Sequence, residues 1–401
     1  MKFIAAFGDR KGSTKMRGRL HLGIWAMLLA VTAAVIGSMP TREHVATITD
    51  RELVVSTRDR EILALETIAS ESWTVFSWDA KEGVYTPMDR WPKESVPSYV
   101  VIWRHLAKKE RDDDEIRELA AHLQNCGHVR RLMASGALVT DDEAVNLATL
   151  RQLWWLDVSA TQITSNGLRR LCEGLDLLTL NCAGTAIDND GLAALEKMKQ
   201  VESLDISNTS IDDEGLRHLT RNTRLKTLDL NSTKVKGPGF KSLTNLAGLR
   251  SLSLFQTSVD EDGWRNVSAL RQLTNLDCSD STITDSALKY IATMPNIEEL
   301  CLMETAVSDE GLRHIGRMTR IRKLNLSLCP ITDEGIHYLR ELRLLETLDL
   351  SGTEVSGPGL YSLLDNRQLK YLGLNYAQVQ VEELPQLRRA LPNVRIDHES
   401  P

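Results

Sequence analysis

The chain has 401 residues, 42% of them hydrophobic, 26% charged and only 5% aromatic. That is the composition of folded domains and excludes a low-complexity or fibrous chain. The formal charge is −7; residues 1–40 contribute +5, so the remainder carries −12, and an acidic body excludes binding to a phosphate backbone, so no nucleic-acid partner is expected.

Residues 1–19 are a basic leader holding Lys2, Arg10, Lys11, Lys15, Arg17 and Arg19. Leu20–Met39 follows without a charge. Twenty helical residues span about 30 Å, the thickness of a bilayer core, so 20–39 is predicted to be a transmembrane signal anchor. The basic leader places the N-terminus in the cytoplasm and everything after Met39 outside it. A cleaved signal peptide competes with this reading, against an apolar stretch that is long for one and lacks a clean small-residue cleavage site before Ser38.

Residues 41–111 show no repeat and hold four of the eight Trp: Trp73, Trp78, Trp91 and Trp103. Alternation in Trp73–Trp78 and Tyr99–Trp103 predicts short strands. Asp112–Glu115 puts acids at the start of a helix running to about Asn125, where they complement the helix dipole. Residues 112–128 are therefore assigned as an N-terminal cap.

From Val129 a repeat takes over and continues to about residue 380. Leu132, Leu156, Leu180, Leu204, Leu228, Leu252, Leu276, Leu300, Leu324, Leu348 and Leu372 stand 24 residues apart without a slip. Within one unit, Leu204 and Ile206 alternate with Ser203, Asp205 and Ser207, which predicts a short parallel strand with one buried face. Thr209 ends the strand, its hydroxyl free to bond the backbone where the chain turns inward. Thr161, Thr185, Thr233, Thr257, Thr305 and Thr353 share that place; Ser281, Cys329 and Ala377 depart from it. Asp212, Ser308 and Thr332 then stand as N-caps ahead of acids in a helical first turn. Leu216 and Leu219 turn one helical face inward. Gly237-Pro-Gly and Gly357-Pro-Gly replace this start in two units, with Pro where its missing N–H costs little. No unit can bury both faces alone, so the units must stack. Residues 381–401 are expected to close the far end.

Units such as Leu348-Asp-Leu-Ser-Gly-Thr353 and Ile331-Thr-Asp-Glu-Gly335 resemble the 24-residue leucine-rich repeats of planctomycete bacteria, and more loosely the cysteine-containing repeats of F-box proteins. The resemblance covers about residues 129–396. It implies an α/β solenoid, a right-handed arc with a parallel sheet on the concave side and helices on the convex side. It implies a protein or peptide ligand without saying which. No F-box-like segment precedes the repeats, so ubiquitin-ligase function is not carried over.

Catalytic patterns are absent: there is no GxSxG, Walker-type loop or HExxH. The chain is read as a non-enzyme with no cofactor and no metal. His218 and His314, four repeats apart, could not share an ion. Asp157, Asp205, Asp229, Asp277 and Asp349 fill the outward slot of the strand and form an acidic ladder. Two readings stand, a solvated row and a groove for a basic segment; acid–base chemistry is disfavoured because the five are expected to face open solvent. Phe255 and Met303 occupy a slot that is Ser in most repeats, and Leu328 follows that slot one repeat on. With Gln256, Asp280 and Glu304 around them they are expected to form an apolar patch with a polar rim, the anatomy of a binding hot spot. Repeat drift is the bland alternative, and Trp155, Tyr371 and Tyr376 are rivals for the same role. Of the Cys, Cys182 and Cys278 lie four repeats apart, about 19 Å, too far for a disulfide; none is expected, and Cys301, in the outward slot, should be the most reactive thiol. The reading that results is a membrane-anchored protein-binding scaffold. A structural spacer in the envelope is the alternative, with a small enzyme within 41–111 a distant third.

Overall fold

The computed structural model describes residues 73–79, 84–87, 100–104, 115–124, 126–127 and 129–399. Leu20–Met39 lies outside the described residues, and among those described no helix is long and apolar enough to cross a membrane.

Among the described residues the strands form one sheet of 15. It begins with β1 (Trp73–Asp79), β2 (Val84–Pro87), β3 (Val100–Arg104) and β4 (Val129–Met133). Three-residue strands then recur every 24 residues, from β5 (Trp155–Asp157) to β15 (Arg395–Asp397). From β3 onward every neighbour is parallel, with one register shift between Val100 and Val101 on β3, and from β4 the pairing is in register, as in Leu276↔Leu300 and Leu300↔Leu324. The sheet does not stop where the repeats begin. β3 pairs in parallel with β4, Ile102 opposite Leu132, and β1 and β2 extend the edge antiparallel. The alternation in the Trp-rich segment predicts β1 and β3; β2, only four residues long and ending in Pro87, is an addition.

The central Leu of each repeat strand is buried and its two neighbours face outward. On the other side lie short helices: two-turn α-helices such as Asp285–Ile291 and Asp309–Ile315, or single α turns continued as 3-10 helix, as in Asp213–Leu216 and Arg217–Arg221. Thr140 opens Asp141–Leu147 with a capping box closed by Glu143, which satisfies two orphan N–H groups reciprocally. In several repeats the first acid of the helix turns away from its own chain. Asp309 accepts from the Thr332 N–H at 2.9 Å and the Thr332 hydroxyl at 2.6 Å, 23 residues on. Asp285 does the same to Ser308, Asp333 to Ser356 and Asp141 to Thr164. The glycine of the Asp-Glu-Gly motif makes room for it: a Cβ on Gly335 would collide with the Asp309 carboxylate. At Gly237 this carboxylate is missing, and the backbones of Gly237 and Gly263 touch directly instead.

Two buried asparagines tie consecutive 3-10 segments. Asn222 Nδ2 donates to the Leu195 and Met198 carbonyls, and Asn366 Nδ2 to those of Leu339 and Leu342. These carbonyls lie at the end of a 3-10 helix, where each also accepts a backbone N–H three residues on, as Leu195 does from Met198 at 3.0 Å and Leu339 from Leu342 at 3.0 Å. Phe240 and Trp264 fill neighbouring core positions held by Leu in most other repeats, such as Leu216 and Leu288. Leu384–Ala390 and β15 close the far end.

Candidate functional site

The outward positions of the sheet form three rows. In the middle row, seven side chains bend onto their own chain. Asp157 accepts the Ser159 N–H at 2.8 Å, and Asn181, Asp205, Asp229, Asp277, Asn325 and Asp349 repeat the bond two residues on. This closes a turn at the strand end. The turn brings the following residue into left-handed backbone, and it does so in register: Gly136, Ala160, Gly184, Asn208, Ser232, Gln256, Asp280, Glu304, Leu328, Gly352 and Tyr376 all have positive φ. The Thr one place further donates to the carbonyl three residues back, as in Thr209 to Ile206 at 2.7 Å.

The acidic ladder is therefore not a row of side chains in open solvent. Burial raises the carboxyl of Asp157, against the hydrogen bonds from Ser159. Burial pushes Asp229 up to about 6, with Asp205 and Asp277 adding to the rise. Asp205 stands in register with Asp229 on the adjacent strand, about one strand spacing (~4.8 Å) away, so its charge disfavours the ionised form of Asp229.

Two repeats break the pattern in the same way. Where Ser is replaced by Phe255, the acid two residues before is Ser253; where it is replaced by Met303, that acid is Cys301. The orphaned Phe255 N–H is taken instead by Asn231 Oδ1 of the preceding repeat, at 2.7 Å. Each repeat thus exchanges a carboxylate and a hydroxyl for an apolar side chain, and both retain the turn.

The sheet carries a shallow trough of about 440 Å³ across these repeats, lined by Ser253, Asp277, Cys301, Asn325, Asp349 and Tyr371 among others. Lys323 and Glu299 on its wall neutralise each other at 2.6 Å. Phe255 and Met303 are half-buried and stand beside the trough, not in its lining. Leu328 is 37% exposed, with φ +59°. A left-handed Leu costs of order 1 kcal/mol, and its side chain leans over Gly352. Gln256 bonds Asp280 at 2.7 Å, so two rim residues are already joined. Glu304 is half-buried beside Met303. Of the rivals, Tyr371 lines the trough, Tyr376 is 42% exposed with φ +61°, and Trp155 lies at the other end of the sheet.

All six cysteines are free, and Cys301 alone is not fully buried. Its thiol is nonetheless raised by burial and by Asp277, so exposure does not make it strongly reactive. Among the described residues no cluster of three His, Cys, Asp or Glu could hold a metal. The left-handed row is the feature that reading the sequence missed. Gly136, Gly184, Gly352 and Asn208, all at one position of the 24-residue period, are its signal.

The architecture so defined is a leucine-rich-repeat solenoid. A family model described as Leucine Rich repeat matches residues 199–219, 318–339 and 341–364. No curated protein sequence matches the chain. Among solved structures it is similar to an internalin (inlF) from Listeria monocytogenes, at TM-score 0.54 and 17% identity, over 86% of this chain and 96% of that one. A structure titled as a TDR receptor reaches TM-score 0.45 at 14% identity, over 69% of this chain and 48% of that one. The internalin likeness shows the fold.

Proposed function

We propose that the chain binds a protein or peptide on the sheet face, the concave side of the arc that such repeats imply, and that it performs no catalysis of its own. One observation carries this reading: the coupled exchange of Asp and Ser for Ser253 and Phe255, and again for Cys301 and Met303, beside the trough. In the first of these repeats Asn231 takes the Phe255 N–H that the missing acid no longer accepts, so the turn survives the exchange. Apolar anchors among polar neighbours are what an interface centre needs. Leu328, held in a strained backbone while exposed, extends the same surface.

The test is the double change Phe255→Ser, Met303→Ser, which restores the residue of most other repeats. We expect an unchanged melting temperature and at least tenfold weaker capture of a partner crosslinked from native membranes. Full binding by a stably folded variant would remove the patch from the function. A structural spacer would instead show no saturable ligand.

Leu20–Met39 supports membrane anchoring with residues 1–19 in the cytoplasm and the solenoid outside, in a bacterial envelope if the resemblance to planctomycete repeats holds. Membrane fractionation and a reporter fused after Pro401 test it. A mature chain starting near residue 39 or a cytoplasmic reporter would overturn it.

A further inference from the structure

The outward rows of β4 to β15 hold three cations: Arg131, Lys323 and Arg395. Lys323 is paired with Glu299 and Arg395 with Asp397. Arg131 is paired with no carboxylate among the described residues. Its guanidinium instead lies over Trp155 on the adjacent strand, 4.6 Å from the ring centroid, with Trp154 at 5.9 Å. Its Nε is buried with no hydrogen-bond partner. Its two terminal nitrogens make no hydrogen bond to any described residue and are not among the buried atoms.

These facts describe a part-exposed cation that is desolvated at Nε, set over an indole ring, and unbonded at its terminal nitrogens to any described residue. Losing water at Nε without gaining an acceptor is costly. An anion arriving at the terminal nitrogens meets a pre-oriented fork with two donors, and the aromatic wall lowers the local dielectric. A planar oxyanion matches that fork best, because two parallel bonds can form.

We propose that Arg131 and Trp155 form an anchoring subsite for a carboxylate of the bound partner, where the first repeat strands lie on the sheet face. This rests on that face being the binding surface. It also sets a dimension: from the strand of Arg131 to that preceding Phe255 is five strand spacings, about 24 Å, which an extended segment covers in about seven residues. The partner therefore carries an acidic group about seven residues from an apolar one. Side-chain and chain-terminal carboxylates share this chemistry, and the experiment separates them.

The full 401-residue chain is panned against random linear peptides about twelve residues long, once with free and once with amidated C-termini. We expect enrichment of Asp or Glu in the amidated set if a side chain is captured. Enrichment in the free set alone assigns the terminal carboxylate. In Arg131→Gln the enrichment should vanish and selected peptides should bind about ten- to a hundredfold more weakly. Arg131→Lys should lose part of this, since it keeps the charge without the fork. Arg151→Gln, an exposed arginine away from the sheet face, should change nothing. Acid enrichment that persists in Arg131→Gln, its absence from both sets, or stronger binding of phosphoserine than of Glu peptides would overturn the proposal. Peptides that depend on Phe255 and Met303 but not on Arg131 would sink the subsite and spare the binding face. Failure to select any peptide would sink both.

Discussion

Asp157, Asp205, Asp229, Asp277 and Asp349 on the sheet face each bend onto their own chain, two residues ahead. Asp141, Asp285, Asp309 and Asp333 on the helical edge reach into the next repeat, 23 residues ahead. Residue type and period are the same, and the destinations differ. The first row shapes a turn, and Asn181 and Asn325 perform it equally well without charge. The second row joins neighbours, and its oxygens sit against a glycine that admits nothing larger. A repeated acid is thus not one kind of feature: local bonding makes it exchangeable, and bonding across repeats makes it structural.

The strongest way to break this contrast is to remove one member of each row. Asp309→Ala strands the Thr332 N–H and hydroxyl, and should cost about 2–4 kcal/mol in urea unfolding. Asp349→Asn should cost under about 0.5 kcal/mol, because Asn already serves in that slot. Equal losses would erase the distinction.

Asp229 sharpens it through pH. Its folded pKa of about 6 lies above the unfolded value, so the folded state binds more protons between about pH 4 and 6. Stability is therefore full below pH 4, falls as pH rises to 6, and levels off above. Asp229→Asn removes the penalty at the cost of the bond from Asn231 Nδ2. Its melting temperature should match wild type near pH 4 and exceed it at pH 7. The gain should be up to about 2 kcal/mol, allowing for solvent screening at a half-buried site. A gap that grows on acidification would reverse the assignment. The smallest effect expected is chemical: under native conditions only Cys301 should take up a maleimide, slowly at pH 7 and faster in alkali. Denatured, non-reduced protein should show all six thiols.

Much of the fold was legible because burial repeats with the chain. Leu204 and its ten equivalents report a strand, Thr209 a turn, and Leu216 with Leu219 a helical face. The destination of an acid was not legible. Asp309 and Asp349 both follow an apolar stretch, and only the spacing between stacked repeats decides which finds a partner 23 residues away. The half-burial of Asp157 and Asp229 depends on neighbouring strands and leaves no local trace. β2 was hidden by its brevity, and the continuation of the sheet into β3 by the absence of any repeat there. In the candidate site, Phe255 and Met303 were visible as departures from Ser. That Ser253 and Cys301 change with them was equally visible, but gains meaning only once the Asp-to-backbone bond is known.

The aspartate links also bear on how the array comes apart. Each linking carboxylate supplies bonds that its neighbour's helix start lacks, so adjacent units melt together and cooperativity is handed along the array. At Gly237 this linking carboxylate is absent, whereas at Gly357 the Glu383 carboxylate of the next unit accepts the Gly357 N–H at 3.3 Å. The helix of the next unit past Gly237 leans instead on a bare backbone contact and on Asn266 bonding the Gly237 carbonyl. The seam immediately before the repeat that bears Phe255 thus forgoes the aspartate link that joins several other helix starts.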